Sequence, residues 1–178
     1  MDNKNKIEVN YNKLANIYDT ILSAKNLWIK IVYKIIWGFW GNARYVNELL
    51  SWLPNDFSGK LLDIPAGTAL FTVNKYSELK KAKIICIDYS HDMLAKAKEK
   101  FNQYGLENIE CMHGDIDNLP FEDKAFDMIL SMNGFHAFPN KEKAFGEINR
   151  VLKYNGIFLG CYYIKDEIKR TDWFIKAL

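Results

Sequence analysis

Three carboxylates follow short apolar runs, at spacings that suit one ligand-binding edge of a parallel sheet. Asp63, Asp88 and Asp115 stand at or just after the ends of these runs, and a short turn follows Asp63. Open α/β sheets bind their ligands at the carboxyl ends of the strands. A carboxylate there accepts hydrogen bonds from more than one donor at once. The spacing therefore predicts a nucleoside-binding site.

The turn after Asp63 carries too few glycines for a dinucleotide-binding loop. The pattern G-x-G-x-x-G would place glycines at the positions of Pro65, Gly67 and Leu70, and only Gly67 matches. Pro65 has no N–H, and Leu70 would block the close approach of a pyrophosphate to the backbone. A nicotinamide or flavin cofactor is therefore disfavoured, and an NAD-dependent oxidoreductase is the weaker alternative.

The elements that must position these residues alternate between strand and helix from residue 58 onward. Such alternation predicts right-handed βαβ crossovers and a Rossmann-like, doubly wound, mainly parallel sheet that is covered on both faces. We predict strands at 60–64, 83–88, 108–113, 125–131 and 157–164, and helices at 69–80, 90–104, 141–152 and from 165.

The chain divides near residue 58 into two parts of what we expect to be a single domain. Residues 1–57 contain three stretches of helical periodicity, which predict a helical lid or cap, and residues 58–178 form the predicted ligand-binding core. Segment 27–40 is apolar apart from Lys30 and Lys34. Its length falls short of the roughly 20 residues that span a bilayer. It is either a buried packing helix or a surface helix that meets lipid or an apolar substrate.

Composition excludes several classes of protein. A formal net charge of +2 over 178 residues is too small to indicate binding to nucleic acid. Cys86, Cys111 and Cys161 all lie in apolar runs, as free thiols in a reducing compartment would, and their spacing suggests no metal site. The polar first twelve residues do not resemble a secretory signal, so we expect a cytoplasmic protein.

The segments that follow the strands resemble those of class I S-adenosylmethionine-dependent methyltransferases, in particular the methyltransferase-11/ubiE-like group. Residues 63–69, DIPAGTA, resemble the motif D-x-G-x-G-T-G, with Pro65 and Ala69 in place of the outer glycines. Residues 114–121, GDIDNLPF, resemble G-D-A-x-x-L-P-F. The resemblance covers roughly residues 58–164, and it extends to the segments 87–94, 126–133 and 147–157.

The resemblance implies S-adenosylmethionine as the cofactor and gives roles to individual residues. Asp88 would accept hydrogen bonds from both ribose hydroxyls, and Asp115 would accept one from the adenine amino group. Tyr89, Met93 and Ile116 would lie against the adenine. The complete set of expected cofactor-binding residues is Tyr18, Asp63, Pro65, Ala66, Gly67, Thr68, Asp88, Tyr89, Met93, Asp115, Ile116, Ser131 and Asn133.

A general base is required only if the methyl acceptor must lose a proton, because the cofactor already carries an activated methyl group. The candidate is His136, which lies just after the fourth strand at the expected active-site edge. The alternative is that His136 merely packs between Phe135 and Phe138. We expect His91 to lie on a helix surface and His113 to lie in the core.

The acceptor is predicted only by class. Trp28, Trp37 and Trp40 favour a small aromatic, quinone-like or lipidic acceptor. The resembled family usually has seven strands, and this sequence stops before the last pair, so we expect those C-terminal strands to be missing. A non-catalytic S-adenosylmethionine-binding module is therefore a second hypothesis. The oligomeric state stays open.

Overall fold

The computed structural model describes residues 40–135 and 138–162, with side chains from residue 45 onward. Four helices and five strands alternate along this part of the chain. In order they are α1 (Trp40–Ser51), β1 (Lys60–Asp63), α2 (Val73–Glu78), β2 (Lys83–Asp88), α3 (His91–Gln103), β3 (Ile109–His113), β4 (Phe126–Met132), α4 (Lys141–Val151) and β5 (Leu152–Cys161).

The five strands form one parallel sheet in the order β3-β2-β1-β4-β5. The chain runs outward from β1 through β2 to β3, and then crosses back to β4 on the other side of β1. This reversal between β1 and β4 is a topological switch point, where doubly wound sheets open a crevice for a ligand. The predicted Rossmann-like architecture is confirmed.

Alternate residues along the central strands face two separate cores, one on each side of the sheet. Leu61 and Ile84 face the side that is covered by α1, α2 and α3, where Tyr76 and Phe101 are buried. Leu62 packs on the opposite side, which is covered by α4. The period of two along a strand produces this division, because successive side chains point to opposite faces.

Two elements begin four or more residues away from their predicted starts. Helix α2 starts at Val73, whereas we predicted a helix from 69, because Ala69 takes a left-handed φ of 54° that a right-handed helix excludes. Strand β5 starts at Leu152, directly after α4, whereas we predicted a strand from 157. The sheet register jumps there from Leu152 to Ile157, so the intervening residues form an irregularity within β5.

Two properties of the described residues concern the predictions about membranes and metals. No helix in 40–135 and 138–162 has the length and apolarity needed to cross a membrane. Across the same residues, no group of three or more His, Cys, Asp and Glu side chains is placed to hold a metal ion. Most of segment 27–40 lies outside the described residues, so its two interpretations stay open.

Candidate functional site

A pocket opens at the carboxyl ends of β1, β2, β3 and β4, at the switch point of the sheet. The turn after β1 forms its floor, and the segments after the other three strands form its sides. Most of the predicted cofactor-binding residues line it: Asp63, Pro65, Ala66, Gly67, Thr68, Asp88, Tyr89, Met93, Asp115, Ile116 and Asn133. Residues from four separate segments therefore meet in one place, as the spacing in the sequence predicts.

The Asp88 carboxylate joins two walls of the pocket. Its Oδ2 accepts a hydrogen bond from the Gly67 N–H at 2.8 Å, and its Oδ1 accepts one from the Ser90 N–H at 2.9 Å. Burial raises the pKa of Asp88, while these backbone donors act in the opposite direction. Each carboxylate oxygen has a second lone pair, so the group can still accept hydrogen bonds from two ligand hydroxyls.

The turn after β1 bends sharply enough to bring its backbone beneath the pocket. Gly67 has a φ of +55°, in the left-handed region that favours glycine, and the Ala66 N–H donates to the Ile87 carbonyl at 2.8 Å. A Cβ built on Gly67 would meet nothing within 4 Å. The backbone at this position therefore faces open space, as a loop that passes close to a ligand requires.

Pro65 packs against Gly134, a residue that we did not predict to belong to the site. A Cβ on Gly134 would overlap the Cγ and Cδ atoms of the Pro65 ring. Asn133, just before it, has a φ of +53°. Nothing in the sequence indicates that the Asn-Gly pair after β4 lies against the turn after β1.

Asp63 lies at the base of the pocket with only 1% of its surface exposed. Its Oδ2 accepts a hydrogen bond from the Tyr76 hydroxyl at 2.7 Å, and Tyr76 belongs to α2. Burial raises the pKa of Asp63 to about 7, with a further increase from the nearby Asp88, although the Tyr76 hydrogen bond opposes the rise. Asp63 therefore titrates near neutral pH, and its pairing with Tyr76 was not predicted from the sequence.

The segment after β3 places Asp115 and Ile116 in the pocket, and α4 holds that segment in position. The guanidinium of Arg150 donates to the carbonyls of Leu119 and Phe121, at 3.0 and 2.6 Å. Both oxygens of Glu147 accept hydrogen bonds from Arg150, and Oε2 also accepts one from the Leu119 N–H at 2.8 Å. This network explains why a Glu and an Arg stand three residues apart on α4.

Some predicted residues do not line the pocket. The buried Ser131 is not among the lining residues, and its hydroxyl has no hydrogen-bond partner among the residues that the structure describes. We expected His113 to lie in the core. This expectation was wrong, because the His113 side chain is exposed at the end of β3. Tyr18 and the candidate base His136 lie outside the described residues.

One side of the pocket is apolar, and sequence analysis largely missed it. Apolar side chains from the turn after β1 and from the segment after β4 line this side, namely Ile64, Leu70, Phe71, Met132, Phe138 and Pro139. The end of β2 and the segment after β3 bring the carboxylates of Asp88 and Asp115 to the pocket. A pocket of this kind suits a ligand that has a polar end and that lies next to a second, apolar molecule.

Comparison with known proteins agrees with this geometry. A family model described as a methyltransferase domain matches residues 61–156, which include β1 to β4 and the Asp88 site. The chain belongs to this methyltransferase family. The resemblance to class I S-adenosylmethionine-dependent methyltransferases of the ubiE-like type is confirmed, and the family identifies S-adenosylmethionine as the cofactor.

Curated relatives and a solved structure show the extent of this similarity. A demethylmenaquinone methyltransferase from Bacillus cytotoxicus is 37% identical over 54% of this chain and 41% of its own length. One from Leptospira interrogans is 31% identical over 86% of this chain and 58% of its own. The chain thus spans about half the length of such relatives. An S-adenosylmethionine-dependent methyltransferase from Aquifex aeolicus shares the fold, with a TM-score of 0.62 at 24% identity over 70% of this chain and 66% of its own.

The residues at the pocket fit S-adenosylmethionine. Asp88 offers acceptor oxygens at the end of β2, where two ribose hydroxyls can reach them. The cofactor has no phosphate, so a single left-handed glycine at Gly67 is enough for the turn to pass close to it. Tyr89, Met93 and Ile116 offer the apolar surface that an adenine ring requires.

Proposed function

We propose that the chain binds S-adenosylmethionine and transfers its methyl group to a small, apolar acceptor. The observation that carries this proposal is the Asp88 carboxylate, which ties the Gly67 turn to the end of β2 inside the pocket. Asp88 would accept the ribose hydroxyls. Asp115, which the Arg150 network holds in place, would accept the adenine amino group.

The protein contributes mainly by positioning in this mechanism. When bound, S-adenosylmethionine would supply a methyl group on a sulfonium: a lone pair of the acceptor would form the new bond to the methyl carbon, and the electron pair of the C–S bond would stay on sulfur. The apolar side chains of Leu70, Phe71 and Phe138 exclude water from the path of the acceptor. Holding two reactants in line replaces a bimolecular encounter with an oriented one. His136 remains our candidate base for an acceptor that must lose a proton.

We propose an aromatic or quinone-like acceptor, in its reduced, hydroxyl-bearing form. The apolar side of the pocket supports this choice, because Phe71, Met132 and Phe138 offer flat, polarizable surface to a ring. The names of the Bacillus and Leptospira relatives point to the same class. We also retain the proposal that the N-terminal cap, residues 1–57, includes a lid over the pocket that carries Tyr18, and that the protein works in the cytoplasm. The last helix of this cap, α1, covers one face of the sheet.

A transfer assay separates methyltransferase activity from a non-catalytic binding module. The protein is incubated with S-adenosylmethionine labelled in its methyl group and with separate panels of phenols, reduced quinones and lipids. We expect labelled product from the hydroxylated aromatic panel, and loss of that product with Asp88→Ala. The matched control is Asp92→Ala, which removes an exposed carboxylate from the first turn of α3. Cofactor binding without transfer to any panel would contradict the proposal and support the binding module.

A further inference from the structure

Two exposed histidines stack against each other beside the pocket. His113 ends β3 and His91 begins α3, and their ring centroids lie 3.9 Å apart with the planes only 6° from parallel. Both side chains are exposed, so neither belongs to the two cores of the sheet. Stacking between two exposed side chains contributes little to the stability of the fold. The contacts that the pair makes with neighbouring residues must therefore account for the arrangement.

His113 holds Tyr89 by two contacts. Its Nε2 lies 2.9 Å from the Tyr89 carbonyl oxygen, and its ring centroid lies 5.6 Å from the Tyr89 ring centroid. Because a carbonyl only accepts hydrogen bonds, Nε2 must carry the proton in this contact. His113 therefore fixes both the backbone and the ring of Tyr89.

Tyr89 lines the pocket and lies in the link between β2 and α3. It lies between Asp88 and Ser90, and the Asp88 carboxylate accepts a hydrogen bond from the Ser90 N–H at 2.9 Å. The Gly114 N–H, next to His113, donates to the Asp88 carbonyl at 3.2 Å. The end of β3 therefore holds the end of β2 at two consecutive residues.

We propose that His113 is a positioning residue for the adenosyl ligand. It holds Tyr89 where the ring faces the ligand, and His91 limits the movement of His113 by stacking on its outer side. This inference rests on the proposed cofactor site. The contribution of His113 to ligand binding comes from its N–H donor and from its ring, and substitutions can remove these two parts separately.

Three substitutions separate the donor from the ring. His113→Gln keeps an N–H at a similar reach, His113→Phe keeps a ring without a donor, and His113→Ala removes both. We expect His113→Ala to raise the Kd for S-adenosylhomocysteine by about three- to tenfold, as for the loss of one hydrogen bond. The glutamine variant should regain most of that loss and the phenylalanine variant part of it. The melting temperature should change little, since His113 is exposed.

A matched control and a double-mutant cycle complete the test. Glu110→Ala removes an exposed side chain from the same strand and should leave the Kd unchanged. In a Tyr89→Ala background, His113→Ala should raise the Kd for S-adenosylhomocysteine by less than about twofold, because the ring that His113 positions is gone. In turnover assays the KM for S-adenosylmethionine should rise while kcat stays within about twofold.

Several outcomes would overturn the inference. If the wild-type protein binds S-adenosylhomocysteine and His113→Ala binds it equally well, His113 positions nothing that the ligand needs. Full additivity with Tyr89→Ala would show that His113 acts by another route. If the wild-type protein itself fails to bind, the proposed cofactor site and this inference fall together.

Discussion

Oδ2 of Asp88, at the end of β2, accepts a hydrogen bond from the Gly67 N–H at 2.8 Å, across 21 residues of sequence. This contact connects the turn after β1 to the carboxylate that the ribose would need. Gly67 makes this contact with a φ of +55°. A single backbone conformation therefore shapes both the floor and one wall of the pocket.

Gly67→Ala should weaken adenosyl binding. A Cβ there meets no neighbouring atom, so its cost comes from the left-handed backbone, about 1 kcal/mol, or from a shift of the turn away from Asp88. We expect a several-fold higher Kd for S-adenosylhomocysteine and a small loss of stability in urea unfolding. Gly146→Ala is the control, because Gly146 lies within α4 with open space around it and alanine favours a helix. Equal effects of the two changes would contradict this account.

Gly134→Ala should destabilise the protein by about 1–3 kcal/mol, because the added methyl group overlaps the Pro65 ring. Pro65→Gly in the same chain removes that ring, and the double variant should recover most of the lost stability. Denaturant unfolding of the two single variants and the double variant measures the coupling between the residues. If the two free energies simply add, Gly134 and Pro65 do not pack together as the structure shows.

Asp63 should make stability depend on pH between about 4 and 7. Its pKa rises from an ordinary value near 4 to about 7 in the folded state, so the folded state holds this proton more tightly than the unfolded chain. The stabilisation is fully present below the unfolded pKa and is lost as pH rises through the folded one. The linkage amounts to roughly 4 kcal/mol over that window.

Asp63→Asn isolates this contribution, since asparagine keeps an acceptor for Tyr76 but does not titrate. The free energy of unfolding of the wild type, minus that of the variant, should fall from pH 4 to pH 7 and level off above. The burial-raised pKa of Asp88 acts in the same direction and is present in both proteins. A difference that does not vary with pH would show that Asp63 is ionised throughout.

Arg150→Ala should loosen the segment after β3. It removes donors to the carbonyls of Leu119 and Phe121 and leaves Glu147 without its partner, at a cost of about 1–3 kcal/mol. Because this segment carries Asp115, the Kd for S-adenosylhomocysteine should rise as well. Lys153→Ala is the control, as it breaks only the partly exposed ion pair with Asp127, worth up to about 1 kcal/mol. An unchanged Kd in Arg150→Ala would show that the network supports the fold alone.

The sequence was most informative where a pattern is local. Strand β2 matches its predicted bounds, and β1, β3 and β4 differ by about one residue, because continuous apolar runs mark doubly covered strands. Helix α3 begins after Ser90, whose hydroxyl accepts from the Met93 N–H at 3.1 Å, and Gly105 follows its end with a φ of +63°. Such caps are visible in a few consecutive residues.

Long-range pairs were not visible in the sequence. The partnership of Asp63 with Tyr76, the packing of Pro65 on Gly134, and the stack of His113 on His91 depend on how separate elements meet. No periodicity encodes these contacts, since each depends on the side-chain directions of two elements. The same reason explains why Ser131, on the expected strand end, is buried and does not line the pocket.

The most direct test of the central claim is calorimetric titration of the wild type and Asp88→Ala with S-adenosylmethionine, S-adenosylhomocysteine and NADH. We predict saturable binding of both adenosyl ligands, no binding of NADH, and loss of adenosyl binding in Asp88→Ala with the fold retained by circular dichroism. Binding of the adenosyl ligands that survives Asp88→Ala, or a folded wild type that binds neither, would contradict the account.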